Sequence, residues 1–156
     1  MPKDDADQSP PDLTNRIKEV LIETRIALPG VQATLGFQFI IVLATGFGEL
    51  PHALKLVHLA SLMCSALCAV LLITPAAYHR IALRGEDSEQ FLRFASRILL
   101  VSLVPLAVAL MGDVAVVAYK ITESMALAVG LAAAGLVATL GFWFGYMYWR
   151  RQRRTA

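Results

Sequence analysis

The sequence predicts an all-α protein: a bundle of four transmembrane helices preceded by an amphipathic N-terminal helix on the cytoplasmic side, with both termini in the cytoplasm. Three observations predict it. Of the 156 residues, 57% are hydrophobic and 17% charged, whereas a soluble domain is near 45–50% apolar and about 25% charged. The apolar residues gather into four blocks, each near the roughly 20 residues that cross about 30 Å of hydrocarbon. Lys and Arg are divided unevenly between the ends of those blocks. A net charge of +2, spread over separate segments, offers no basic face for nucleic acid. A 17.0 kDa membrane domain also leaves little room for the cleft of a large enzyme.

The elements follow in order. Residues 1–12, MPKDDADQSPPD, are acidic and Pro-rich with almost nothing to bury, which predicts a disordered tail. From Leu13 the pattern changes: Leu13, Ile17, Val20, Leu21, Thr24 and Leu28 recur at three and four residues, an amphipathic helix over 13–28. Its polar side carries Arg16, Glu19 and Glu23, and Leu28-Pro29-Gly30 is expected to end it. The first membrane span is predicted over 29–48, closed by Leu50-Pro51. The second is predicted over 56–78, the third over 98–119 and the fourth over 124–149, before a basic tail over 150–156. In the middle connection Asp87 can cap and Gln90 can answer it at the N3 position, with Glu89, Arg93 and Arg97 at i,i+4 steps. The third helix should therefore start well before the membrane.

Orientation rests on the basic residues, which are retained on the cytoplasmic side. Lys3, Arg16, Lys18 and Arg25 precede the first span; Arg80, Arg84, Arg93 and Arg97 lie between the second and third; Arg150, Arg151, Arg153 and Arg154 follow the fourth. The other side holds only Lys55 and Lys120. Trp143, Tyr146, Tyr148 and Trp149 form an aromatic belt above the last arginines, in agreement with cytoplasmic termini. No cleavable signal is expected, since the first apolar block is longer than a signal core and no cleavage pattern follows it.

Three stretches carry a resemblance: the Glu-x-x-x-Glu-x-Arg run (Glu19, Glu23, Arg25), the Gly-Val-Gln opening of the first span (Gly30, Val31, Gln32), and the Pro-x-x-x-His-Arg exit of the second (Pro75, His79, Arg80). With these, roughly residues 15–97 resemble a family of small bacterial four-helix membrane proteins known as a domain of unknown function. Some of its members are automatically named sodium:proton antiporters. The resemblance implies the four-helix fold and the bacterial inner membrane, and it implies no catalytic or ion-binding residue.

Ionisable groups inside a membrane block cost several kcal/mol and need a partner, a wet cavity or a function. Asp113 is the clearest, roughly 9 Å from the outer end of the third span by helical rise. It is either a cation or proton site or the interfacial partner of Lys55 or Lys120. Glu49 and Glu123 lie on the same outer side and would form an acidic mouth in an oligomer. His52 and His58 flank the start of the second span, near enough in depth to approach Asp113 and Glu123, and are candidates for pH sensing. Gln32 and Gln38 differ by about 240° of helix rotation and cannot share one stripe: one is expected to bond a neighbouring helix, the other to face water or a pore. Glu19, Glu23, Arg25, His79 and Arg80 are structural or gating candidates at the cytoplasmic side.

Cys64 and Cys68, and the Ala126, Gly130, Ala134 and Ala138 stripe continued by Gly141 and Gly145, read as close-packing positions. Pro105 is expected to kink or loosen the third span. Neither the spacing of His and Cys nor any phosphate loop or nucleophile arrangement points to a metal, a cofactor or an enzyme. The function expected from these features is a homo-oligomer in the lipid bilayer that conducts or exchanges a monovalent cation or proton. The alternative is a non-transporting scaffold or regulatory subunit, with pH or stress sensing as a further reading.

Overall fold

A computed structural model describes residues 12–84, 86–146, 149 and 153. Every regular element among them is helical: α1 (Leu13–Leu43), α2 (His52–Ile81), α3 (Glu89–Thr122) and α4 (Met125–Leu140), the last continued by a π-helical stretch over Gly141–Tyr146. All four, with α4 counted through Tyr146, are long and apolar enough to cross a membrane. We call the end holding the 44–51 and 123–124 connections distal, and the end holding the start of α1 and the 82–88 connection proximal. The expected tail over 1–12 falls, apart from Asp12, outside the described residues. So do Tyr148, Arg150, Arg151 and Arg154 of the expected belt and basic tail.

The distribution of side chains is that of a lipid-solvated protein. Large apolar residues stand on the outside, Leu43 at 84% and Ile26 at 73% exposure, while Thr24, Gln38, His58, Ser61, Ser65 and Ser102 are buried. With no hydrophobic force between helices in lipid, small and polar residues make the contacts and apolar ones face the tails. The chain is a multi-pass helical membrane protein.

Two seams organise the packing. On α1 the buried residues are Ile17, Thr24, Val31 and Gln38, seven apart each time. On α2 they are Leu54, His58, Ser61, Ser65, Cys68, Leu72 and Pro75, alternating four and three. This is the heptad repeat of helices that wrap at shallow angles. Three apolar levels lie along the seams: Leu50, Leu54 and Val116 distally, Val31, Cys68 and Leu72 in the middle, and Ile17, Phe91, Leu92 and Ala95 proximally.

Two expectations are corrected. The first helix does not end at Leu28-Pro29-Gly30; α1 is one helix of 31 residues with Pro29 inside it. Pro29 is exposed, so its ring points away from the bundle, and the seam residues on the opposite side hold the helix on either side of it. It removes the hydrogen bond to the Arg25 carbonyl, which a membrane helix tolerates. At the other end α1 stops at Leu43, short of residue 48, because Thr45-Gly46-Phe47-Gly48 turns the chain. Second, the cap of α3 is Ser88, whose Oγ accepts the Phe91 N–H at 3.1 Å, and Asp87 is turned elsewhere. The fourth helix stands to one side of the other three. Among the described residues α4 packs on α3 alone, so α1, α2 and α3 form the core. Only Ala128 of α4 is buried, and α3 runs unbroken through Pro105.

Candidate functional site

The distal third of the three-helix core holds a polar cluster contributed by one residue from each helix. Gln38 is the last seam residue of α1, and His58 is the second of α2. Asp113 follows Gly112 on α3, and Gly112 explains the approach. A Cβ at that position would collide with Ser61 Oγ, so only glycine lets α3 lie this close to α2. Asp113 is thereby carried up to the His58 ring.

Gln38 Nε2 donates to Asp113 Oδ2 at 2.7 Å. His58 Nε2 lies 3.0 Å from the main-chain carbonyl oxygen of Gln38, and its Nδ1 lies 3.6 Å from Asp113 Oδ1. That last distance is an ion-pair separation, longer than a hydrogen bond. The side chains are 2% exposed for His58 and 20% for Asp113, and Gln38 is 1% exposed. Three buried atoms of the cluster have no hydrogen-bond partner: Gln38 Oε1, His58 Nδ1 and Asp113 Oδ1. The Phe47 ring meets the His58 ring edge-on at 5.3 Å between centroids.

From His58 the α2 seam continues toward mid-membrane as Ser61, Ser65 and Cys68, all buried. Ser65 Oγ is another buried atom without a partner. Ser102 of α3 is buried with them and donates to the Leu99 carbonyl at 2.7 Å. Leu72 and Pro75 then close the seam with apolar surface. Small polar residues thus follow the α2 seam from the distal cluster toward its middle, with Ser61 Oγ donating to the Val57 carbonyl of its own helix at 3.0 Å.

The remaining expected residues lie apart from this cluster. Gln32 and His52 are exposed. Asp113 pairs with neither lysine proposed for it: Lys120 Nζ donates to Glu49 Oε2 at 2.9 Å, and Lys55 Nζ donates to the Gly48 carbonyl at 2.7 Å. The Lys120 ammonium, by hydrogen bond and charge, holds the Glu49 carboxyl below its ordinary value. Glu49, Lys120 and Glu123 line one distal depression of about 330 Å³. At the proximal end Glu19, Glu23, Arg25 and Arg80 are exposed. His79 Nε2 lies 3.3 Å from Asp87 Oδ1, and the Asp87 carboxyl is held below its ordinary value by a hydrogen bond from Thr14, then by His79 and Lys18.

Sequence reasoning missed Gly112, Phe47 and the seam serines. The four-three spacing of His58, Ser61, Ser65 and Cys68 was the available signal for them. Among the described residues no three His, Cys, Asp or Glu side chains converge as a metal site.

A model for a family of unknown function (DUF6328) matches residues 9–147. No curated protein and no solved structure matches the chain.

Proposed function

The chain belongs to this DUF6328 family of unknown function, and from that premise we propose that it passes monovalent cations across a bacterial inner membrane as a homo-oligomer. Asp113 is the binding carboxylate and the arginine-rich proximal end is cytoplasmic. The observation that carries this reading is the set of orphaned atoms, Gln38 Oε1, His58 Nδ1 and Asp113 Oδ1, buried together between three membrane helices. Buried polar atoms in a native fold are paired, and a group of unpaired ones marks a place where something is bound or exchanged. Buried Ser61 and Ser65 extend polar surface from the cluster toward mid-membrane and support a path inside the chain, and Glu123 adds negative charge at the distal end beside the Glu49–Lys120 pair. The exposed face of α4 is the surface on which protomers associate.

The test is flux. Protein reconstituted into liposomes is expected to move Na⁺, K⁺ or H⁺, and Asp113→Asn, with assembly intact, to lower that flux by about tenfold or more. Absence of flux from correctly assembled wild type across a pH range overturns transport. It leaves the second reading, a non-transporting regulator, which is favoured by the proximal pair of His79 and Asp87.

A further inference from the structure

The hydrogen-bonding roles in the distal cluster restrict where a proton can sit. His58 Nε2 faces only a main-chain carbonyl oxygen, that of Gln38 at 3.0 Å, and a carbonyl can only accept. Nε2 therefore carries a hydrogen, and the neutral ring presents a lone pair at Nδ1. That lone pair faces Asp113 Oδ1 at 3.6 Å, and neither atom has another partner. With no proton between them, an anionic oxygen and a lone pair confront each other in a buried site. With two, an imidazolium faces a neutral acid and its charge is uncompensated. With one, the contact is attractive whichever atom holds the proton, and a closure of about 0.8 Å brings it to the length of a charge-assisted hydrogen bond.

We propose that His58 and Asp113 hold a single proton between Nδ1 and Oδ1, with the ring orientation locked by the Gln38 carbonyl, and that this proton is the ion the site binds. The inference rests on the reading of Asp113 as the ion site and names the ion. Gln38 completes the arrangement by donating to Oδ2, which leaves Oδ1 as the oxygen that takes up and releases the proton. The groups facing the ring are Gln38 from α1, Asp113 from α3 and the uncharged Phe47 from the connection. The only titratable side chain of Met125–Tyr146 is Tyr146 itself, at its far end.

The proton can be counted in wild-type protein in lipid bilayers at neutral pH. Nitrogen-15 NMR of labelled histidine reports the state of Nδ1 and Nε2, and the infrared carboxyl band of carbon-13 aspartate reports Asp113, assigned by its loss in Asp113→Asn. The expected result is a protonated Nε2 and one proton shared by Nδ1 and the carboxyl. A count of zero or two, or an unprotonated Nε2, overturns the proposal. Because the count uses the wild type, a variant that fails to fold leaves it intact. One proton without flux overturns transport while sustaining the proton site, and flux with a count of zero or two does the reverse.

Discussion

At the scale of single residues, the smallest side chain governs the most polar contact. Gly112 sets the distance between α2 and α3, and a methyl group there meets Ser61 Oγ. Gly112→Ala is therefore expected to destabilise the protein by about 1–3 kcal/mol through overpacking and to widen the gap between His58 and Asp113. Thermal unfolding in detergent checks the first effect, and Ser61→Gly in the same chain should restore most of the loss. Asp113 was legible in the sequence because a carboxylate inside an apolar block has no inconspicuous explanation. The depth of His58 was legible as well. What was hidden was azimuth: Lys55 and Lys120 were equally eligible partners until the turn at Gly46 brought the connection against Lys120, where a Cβ would lie 2.9 Å from Lys120 Cε. Sequence spacing gives position along one helix, whereas pairing depends on the rotation of two.

At the scale of elements, α1 shows how far periodicity carries and where local signals mislead. The repeat from Ile17 to Gln38 runs straight through Pro29, and a seven-residue comparison across the proline would have joined the two predicted pieces. Pro29 and Gly30 signal a stop because both weaken an isolated helix; packing on α2 and α3 overrides them. Just before α3 begins, Asp87 faces His79 of α2, and its carboxyl is held below its ordinary value chiefly by Thr14 of α1. A carboxyl held below its ordinary value stabilises the fold above that value and loses the contribution as pH falls through the lowered one. Hydrogen exchange in the first turns of α1 is thus expected to quicken only below about pH 3.8, the ordinary Asp value. Asp87→Asn should give the faster exchange at neutral pH too. Exchange that stays slow in Asp87→Asn would show that the apolar packing of Ile17 on Phe91, Leu92 and Ala95 holds this end alone.

At the scale of the whole molecule, the four spans and their apolar exteriors were legible from composition and block length, because lipid imposes both. The placement of α4 was not, since its sequence is apolar all round and favours no face. Its Ala126, Gly130, Ala134 and Ala138 stripe is exposed, and a Cβ at Gly130 meets open space. If chains associate through this face as proposed, Gly130→Leu is expected to leave helicity and thermal unfolding unchanged while lowering the cross-linked oligomer fraction in membranes; an unchanged fraction would count against this face as an interface. One feature joins the two polar regions. Because α1 is unbroken, Thr14 and Gln38 are fixed to each other by 24 residues of helix, about 36 Å. Gln38 touches His58 and Asp113 at one end, Ile17 packs with Phe91, Leu92 and Ala95 toward the other, and Val31 bears on Cys68 and Leu72 between them. Held at several levels along its length, α1 is a strut: it keeps the distal cluster and the proximal end at a fixed spacing, which two helices broken at Leu28-Pro29-Gly30 would not do.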